Sequence, residues 1–457
     1  MAQINSSGRD SFSSNIGVVA AAAGSAIGLG NIWRFPYVLG ENGGGAFLFI
    51  YLGFVLLIGL PVMLSEFTIG RNTQRNNVGA FLKLKPGKPW FMIGAMGVVC
   101  AFMILAFYAA VAGWTLEYLY QSVTNAFTGK SPEQLNQDFE TFRSHSGWPV
   151  IWFLIFMVLT SGIVMAGVKN GIEKYTKILM PVLLVIIIIL IIRSVTLPGA
   201  GEGLAFLFKP DFSKIRPTTI IEALGQAFFS LSIGMGTLIT YGSYIQKRDN
   251  LARIAFHVSL ADTLIAVLAG IAIFPAVFAF GIDPASDEGL VFITLPNIFQ
   301  QMAGGYIFAL LFFILLSVAA LTSTISVLEV VVAFMTEELK MKRRVATILA
   351  SSAISVLGVL AAGSWGWFSG ITIAGKNIFG VLNWTAANLL LPIGGFFIVI
   401  FVGWFMGKNL VKDEISNQGS LRAKFLGIFL FIVRYIAPIA IILVFLNGVG
   451  ALNFLSS

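Results

Sequence analysis

Asp262 is an acidic residue about ten positions inside a long apolar stretch, residues 252–281. An ionisable side chain in such a stretch is costly to bury, so it is a candidate for binding an ion or a proton. The alternative is an interfacial carboxylate, because Asp262 lies near one end of the stretch and could snorkel outward. Glu329 is a second acid in an apolar stretch, and the sequence assigns no role to it.

Two glycine-rich runs interrupt apolar stretches near their middle. Residues 24–31 read GSAIGLGN and residues 230–236 read SLSIGMG, so both contain Ile-Gly-x-Gly. Such glycines can serve close helix packing, but the matched pair favours two broken helices. Unwound backbone at membrane depth persists only where it lines a polar cavity, so both breaks are predicted to line a binding site. No strand precedes either run, which argues against a dinucleotide-binding loop.

The composition defines the elements that must position these residues. The 457-residue chain is 57% apolar before its 48 glycines are counted, and only 11% of it is charged. A soluble domain carries roughly a quarter charged residues, so the composition predicts a polytopic membrane protein with the lipid bilayer as its solvent. The net charge of +8 is spread over short loops, and nucleic acid is therefore not expected as a partner. The single cysteine, Cys100, allows no internal disulfide.

Hydropathy predicts eleven membrane spans. Their approximate bounds are 12–38, 44–70, 90–123, 148–167, 171–195, 218–246, 252–281, 304–336, 345–362, 383–407 and 425–448. With a cytoplasmic N-terminus, 20 of the 29 lysines and arginines fall in inner segments. The positive-inside rule thus predicts a multi-pass protein with its N-terminus inside and its C-terminus outside. The plasma (inner) membrane is the expected location. The polar opening segment predicts no cleavable signal peptide.

The two glycine breaks lie five spans apart. Because five is odd, the two halves of the chain run through the membrane in opposite directions, which is typical of an inverted repeat with its binding site near the bilayer midplane. The first repeat is predicted at 12–195, the second at 218–407, and an additional span at 425–448. The whole chain, 1–457, is expected to form a single transporter domain.

Five short strings carry a family resemblance. Residues 24–36, GSAIGLGNIWRFP, followed by ENGGG at 41–45, resemble the opening signature of the neurotransmitter:sodium symporter family. The strings GQAFFSLS at 225–232, FITLP at 292–296 and AALTS at 319–323 resemble its sixth helix, its extracellular lid and its eighth helix. The resemblance covers spans one to ten in order. It implies an all-α membrane protein of the LeuT-type five-plus-five inverted repeat, in the bacterial branch with eleven helices.

The resemblance implies a sodium-coupled symporter of L-amino acids. A substrate carboxylate suits the N-terminal end of the outer half of the first helix, near Leu29 and Gly30, and Tyr108 matches the family tyrosine that donates to it. Carbonyls near Ala26, Phe229 and Ser232 would accept from the ammonium group. The side-chain pocket is expected to be lined by Ile104, Tyr108, Phe229, Ser232, Met235, Phe292, Ser323 and Val327. The flexible thioether of Met235 favours large apolar or aromatic substrates.

Two sodium ions are expected, because hard cations prefer oxygen ligands. By resemblance, the first ion takes the Ala26 carbonyl, Asn31, Ser230, Asp262 and the substrate carboxylate. The second takes the carbonyls of Gly24, Ile27 and Ala319 and the hydroxyls of Thr322 and Ser323.

Asp262 departs from many family members, which carry asparagine there. Those members obtain a negative charge from bound chloride or from a glutamate one helical turn onward, and that onward position here is Ala266. The sequence therefore predicts transport without a chloride requirement.

Gating residues also follow from the resemblance. Arg9 and Phe12 resemble a cytoplasmic latch, with Glu337 as the partner of Arg9 and Tyr244 nearby. Arg34 matches the outer arginine, but its acidic partner is replaced by Asn383, which can accept a hydrogen bond without forming an ion pair. Gly171 and Pro181 match the spacing of a fifth helix that unwinds to open the inner sodium site. Glu66 resembles a glutamate that supports the broken sixth helix.

Three other classes of function remain as alternatives. A proton-coupled carrier would use Asp262 as its proton site. A channel would need a continuous pore, which the broken helices and the lid do not favour. An enzyme would need a nucleophile and a base at useful spacing, and the sequence offers neither. The sequence leaves the oligomeric state and the physiological amino acid open.

Overall fold

A computed structural model describes residues 11–283 and 289–452, and these residues are almost entirely helical. Nine unbroken helices in this part of the chain are long and apolar enough to cross a membrane. They span Gly45–Thr73, Phe91–Val123, Trp148–Met165, Val168–Val195, Leu251–Ala279, Gly305–Glu337, Arg343–Ala362, Ile378–Phe405 and Leu426–Gly448.

Two further spans are interrupted, at the glycine runs. The first consists of Asn15–Ala26 and of Gly30–Arg34 continued by Phe35–Glu41, with a bend of 53° between its halves. The sixth consists of Pro217–Ser230 and Thr237–Gly242. With these two, every predicted span corresponds to helix, and the eleven-helix fold with discontinuous first and sixth helices is confirmed.

The predicted bounds of the spans agree with the structure within a few residues, with one larger error. The tenth span was predicted to begin at residue 383 but begins at Ile378. Asn377 caps it, since its side chain accepts a hydrogen bond from the Gly380 N–H at 2.8 Å. An asparagine N-cap satisfies an amide that the first helical turn leaves unpaired, and it starts the helix earlier than hydropathy indicates.

Short helices and one hairpin connect the spans. The helices are Asn77–Leu84, Pro132–Ser144, Ala200–Phe208, Leu295–Gln301 and Lys408–Ile415, with a single 3₁₀ turn at Phe212–Lys214. The two-residue strands Thr372–Ile373 and Lys376–Asn377 pair antiparallel before the tenth span. Hydropathy did not predict these connecting helices, because they lie outside the apolar stretches.

The interrupted spans occupy the interior of the helical bundle. The Asn15–Ala26 segment packs against the fifth, seventh and eighth spans, and Thr237–Gly242 packs against the second. Large apolar side chains such as Val158 and Val356 are exposed on the outside of the bundle. Lipid is the solvent that makes such exposure favourable, and the polar backbone of the two breaks is thereby kept away from it.

A buried ion pair joins distant parts of the chain beside the membrane-spanning region. Arg71, at the end of the second span, is 1% exposed and donates to Glu414 at 2.7 Å, and Lys247 contacts the same carboxylate at 2.5 Å. Burial opposes ionisation of Glu414, but the hydrogen bond from Lys247 and the charge of Arg71 hold its pKa below the ordinary value. The pair thus ties the connection between the tenth and eleventh spans to the second span and the loop after the sixth.

Candidate functional site

The breaks in the first and sixth spans expose backbone groups in the centre of the bundle. The first helix stops at Ala26, and Ile27 takes an extended conformation before the second half begins. In the sixth span, Ser232 has a φ of 55° and Gly234 a φ of 88°. A Cβ atom on Gly234 would lie 2.3 Å from the Leu391 carbonyl oxygen, so only glycine fits this turn.

Glu66 supports the break in the sixth span. Its side chain is fully buried, and its carboxylate accepts a hydrogen bond from the Gly234 N–H at 2.7 Å. The amide that the unwound backbone leaves without a helical partner is thereby satisfied.

Asn31, Ser230 and Asp262 converge between the first, sixth and seventh spans. The Asn31 amide donates to Asp262 Oδ1 at 2.7 Å and to Ser230 Oγ at 3.2 Å. Ser230 donates to Asp262 Oδ2 at 2.8 Å. Asp262 is 0% exposed, which excludes the interfacial alternative for this carboxylate. The three side chains bring oxygen donors and one acidic group together, as a site for a hard cation requires.

A second group of oxygens lies between the first and eighth spans. Thr322 Oγ1 lies 3.4 Å and Ser323 Oγ 3.2 Å from the Ile27 carbonyl oxygen. Thr322 also donates to the Ala319 carbonyl at 3.0 Å, and a Cβ on Gly24 would lie 3.4 Å from Thr322. All five residues predicted for a second cation therefore gather at one place.

Tyr108 reaches the first span from the third. Its hydroxyl oxygen accepts a hydrogen bond from the Leu29 N–H at 2.8 Å. Ser232 Oγ lies 3.3 Å from the Ser25 carbonyl oxygen, which Ser323 approaches at 3.4 Å. The Ala26 carbonyl was predicted as a ligand, but these two hydroxyls approach the carbonyl of the preceding residue, Ser25. The glycines in the sequence indicate the position of the helix break only to within about one residue.

A cavity of about 540 Å³ leads to Tyr108 and to the start of the second half of the first span. Four of the eleven predicted substrate-binding residues line it: Leu29, Gly30, Tyr108 and Phe229. The other seven are buried: Ala26, Ile104, Ser232, Met235, Phe292, Ser323 and Val327. Phe292 lies in an aromatic cluster, stacked on Phe139 at 5.7 Å and edge-on to Tyr118 at 5.1 Å.

Arg34 and Asn383 line the same cavity. The guanidinium of Arg34 lies 4.3 Å from the centre of the Phe229 ring. A cation over an aromatic face is stabilised by the ring quadrupole. The structure thus gives Arg34 an aromatic contact that the resemblance did not predict.

The opposite end of the two broken spans is closed by Phe12, which is 1% exposed. Its ring packs edge-on against Tyr241 and Tyr244, with centroids at 5.8 and 5.9 Å, and its N–H donates to the Tyr244 carbonyl. Glu337 accepts a hydrogen bond from the Asn76 N–H at 2.8 Å. Arg9 lies outside the described residues.

Glu329 has a clear structural place on this closed side. It is fully buried, accepts from the Tyr244 hydroxyl at 2.7 Å and forms an ion pair with Arg343 at 2.5 Å. The pair connects the eighth and ninth spans beneath the Phe12 contact. Arg343 begins the ninth span, fourteen residues after Glu329 and on the other side of a loop. A basic residue at this distance from an intramembrane acid is the sequence feature that could have predicted the ion pair.

The predicted hinge of the fifth span contains a local irregularity. Gly171 lies in a π-helical segment, Val168–Glu173, and a Cβ there would lie 2.1 Å from the Ile163 carbonyl oxygen. The helix continues through Pro181. Pro181 lines a second cavity of about 700 Å³ that also reaches Ile27, whose carbonyl belongs to the second group of oxygens.

Two discontinuous helices that meet at a buried polar site, inside a bundle of eleven membrane spans, define a membrane transporter. The profile of the Sodium:neurotransmitter symporter family matches residues 9–141 and 133–455. The chain belongs to this family.

Several relatives cover almost the whole chain. YhdH of Bacillus subtilis (strain 168), named an uncharacterized sodium-dependent transporter, is 39% identical over 97% of this chain and 98% of its own length. The sodium-dependent serotonin transporter of Drosophila melanogaster is 27% identical over 96% of this chain and 76% of its own. The crystal structure of MhsT in complex with L-phenylalanine is similar with a TM-score of 0.89, at 47% identity over 96% of this chain and 100% of that one.

Proposed function

We propose that the protein is a sodium-coupled symporter of neutral, large apolar or aromatic L-amino acids that works by alternating access. The observation that carries the proposal is the convergence of Asn31, Ser230 and Asp262 beside the Tyr108–Leu29 contact. A cation bound by Asn31, Ser230 and Asp262 and a carboxylate bound beside Tyr108 and Leu29 would be neighbours. Each would then strengthen binding of the other, which is the coupling that symport requires.

The descriptions of two relatives support sodium and an amino acid as the two ligands. YhdH is named a sodium-dependent transporter, and MhsT has been crystallised with L-phenylalanine. The second group of oxygens, around Thr322 and Ser323, accommodates a second sodium ion. Met235 is buried next to the break in the sixth span, and its flexible thioether can repack around aromatic and branched side chains alike.

The access cycle follows from the two ends of the site. The cavity with Arg34 and Asn383 approaches the site from one side, whereas Phe12, Tyr241 and Tyr244 pack together at the other end. With a cytoplasmic N-terminus in the plasma (inner) membrane, this cavity would face outward and the Phe12 contact inward. The repeats 12–195 and 218–407 would move relative to each other, with 425–448 as an additional helix.

Uptake into proteoliposomes under an imposed sodium gradient at fixed pH tests the proposal. Radiolabelled L-phenylalanine is expected to accumulate, with L-tyrosine, L-tryptophan and L-leucine competing better than glycine, L-glutamate or L-lysine. Accumulation driven by a proton gradient without sodium would instead favour a proton carrier with Asp262 as its proton site. Stronger competition by glycine or by charged amino acids than by every aromatic one would contradict the predicted specificity.

A further inference from the structure

The start of the first span is held by an acidic residue of the fifth span. The carboxylate of Glu173 accepts hydrogen bonds from the Ser13 N–H at 2.8 Å and from the Ser13 hydroxyl at 2.6 Å. The Ser14 hydroxyl is 3.3 Å from the same carboxylate, and Lys177 pairs with it at 2.5 Å. The Glu173 side chain is only 2% exposed, so these contacts hold it in a fixed position.

The carboxylate lies at the N-terminal end of the Asn15–Ala26 helix. Ser14 caps this helix by accepting from the Gly17 N–H at 3.1 Å, and a Cβ on Gly17 would lie only 2.0 Å from Glu173 Oε1. Negative charge at a helix N-terminus is stabilised by the unpaired amides of the first turn. Glycine at position 17 therefore gives the carboxylate room to reach this end of the helix.

Glu173 is also the last residue of the π-helical segment Val168–Glu173. Gly167, which precedes the segment, has a φ of 96°, and π-helical turns are frequently found at functional sites. Glu173 joins this segment directly to the Lys174–Val195 helix, so unwinding of the segment would change the position of Glu173 relative to Ser13 and Ser14.

The other end of the same helix carries the second group of oxygens. Ile27, directly after Ala26, presents the carbonyl that Thr322 and Ser323 approach. A short helix moves as a unit, so release of its start at Ser13 and Ser14 shifts its far end as well. Bound sodium at Ile27 and the Glu173 contacts would thus stabilise the same position of the helix.

We propose that Glu173 is a positioning residue that couples the hinge of the fifth span to the first half of the first span. Its carboxylate holds Ser13 and Ser14 while Val168–Glu173 is helical and releases them when this segment unwinds, which frees the Asn15–Ala26 helix to open the Phe12 side. The inference rests on the proposed alternating-access function and extends it to a residue outside both predicted ion sites.

The test measures the position of the first helix directly in the full-length protein. Cys100 is the only cysteine in the sequence, so a Cys100→Ala, Ala23→Cys parent carries one thiol, at a position that is 4% exposed. The protein is reconstituted in nanodiscs, and labelling by a charged maleimide is timed with and without sodium. Sodium is expected to slow labelling of the parent.

Glu173→Gln in this parent is expected to speed labelling about tenfold, the effect of losing one charge-assisted hydrogen bond on an equilibrium constant. The sodium concentration that gives half-protection should rise by a similar factor, because sodium must then offset the lost contact. Gly17→Ala retains the carboxylate but pushes it off the helix, so it should act in the same direction. A double variant should add little to Glu173→Gln, since both changes remove one interaction.

Lys174→Gln is the matched control, because it removes a neighbouring positive charge at an exposed position and leaves both Glu173 and Lys177 in place. Exposed surface charges contribute little, so labelling should stay within about twofold of the parent. A Glu173→Gln variant that melts like the parent and has the parent's labelling rate and sodium requirement would overturn the inference. Absence of sodium protection in the parent would count against sodium coupling, whereas the labelling rates without sodium still decide the role of Glu173.

Discussion

The hydroxyl oxygen of Tyr108 accepts a hydrogen bond from the Leu29 backbone N–H at 2.8 Å, across 79 residues of the chain. Leu29 immediately precedes the second half of the first span, where helical amides have no partner within their own helix. A hydroxyl that accepts from this amide still has its own proton to donate. A carboxylate bound beside Tyr108 would find this hydroxyl donor already held in place by the Leu29 amide.

Tyr108→Phe is therefore expected to weaken binding of an amino-acid substrate by about 10- to 100-fold, the range for loss of a hydrogen bond to a charged group. Sodium binding in the absence of substrate should change little. Equilibrium binding of radiolabelled L-phenylalanine at saturating sodium measures the effect. Tyr120→Phe is the control, because Tyr120 is on the same helix and exposed. Equal affinities of the two variants would show that the carboxylate binds elsewhere.

Gly28→Ala tests how closely the elements approach at the break. A Cβ at this position would lie 2.3 Å from Ser323 Oγ and 2.5 Å from the Tyr108 hydroxyl. The methyl group must displace both hydroxyls, so substrate binding is expected to fall at least about tenfold, through misplacement of the groups that hold the ligand. Gly53→Ala is a suitable control, since a Cβ there has no neighbour within 4 Å. Unchanged binding in both variants would exclude a substrate site at this break.

Most of the fold could be predicted from the sequence because the membrane imposes a simple rule. Each span needs about 20 apolar residues, and the two spans that break the helical pattern contain the same Ile-Gly-x-Gly string. The error at the start of the tenth span arose where a capping residue, Asn377, overrides hydropathy. Its capping hydrogen bond is local, so a search for asparagine before the apolar stretch would have found it.

The site was predicted only in part. Asn31, Ser230 and Asp262 meet as expected, and their role as cation ligands stays a prediction. The contacts between Glu173 and Ser13, and between Arg71 and Glu414, join residues 160 and 343 positions apart. Charged and hydroxyl residues that pair over such distances leave no periodic pattern in the sequence. Only packing of the spans brings them together, and local propensity cannot indicate it.

Ser230→Ala is expected to weaken sodium and substrate binding together. The Ser230 hydroxyl donates to Asp262 at 2.8 Å and accepts from Asn31, so its loss disturbs all three groups of the first cation site. Because coupling between two ligands is reciprocal, substrate affinity measured against sodium concentration should show the same factor as sodium affinity measured against substrate. Wild-type substrate binding that is indifferent to sodium would contradict a shared site.

Glu414→Ala is expected to destabilise the protein by about 3–5 kcal/mol, because it leaves the buried Arg71 guanidinium without its partner. The pKa of Glu414 is lowered in the folded protein, so its contribution is complete above the unfolded pKa of about 4.3 and is lost as the pH falls below it. Thermal unfolding in detergent between pH 7 and about pH 3 measures both effects. Asp413→Ala, at the exposed neighbouring position, should melt like the wild type. A Glu414→Ala protein that also does so would show that water or another side chain compensates Arg71.

Asp262 is expected to provide the fixed negative charge that makes chloride unnecessary. Two sodium ions and a zwitterion leave the occupied site with an excess of positive charge, and a buried carboxylate beside the first ion is the direct compensation in a medium of low dielectric constant. The carboxylate is fully buried and accepts from Asn31 and Ser230, so Asp262→Asn keeps the size of the side chain, removes the charge and replaces one acceptor oxygen by an amide donor. Sodium-driven uptake should then fall at least about tenfold, since the lost charge interaction exceeds about 1.4 kcal/mol. The control is Asp413→Asn at the membrane surface, which should have little effect on uptake. Replacing chloride with gluconate should leave wild-type uptake almost unchanged. A steep chloride requirement in the wild type, or full activity of Asp262→Asn, would place the compensating charge on another group.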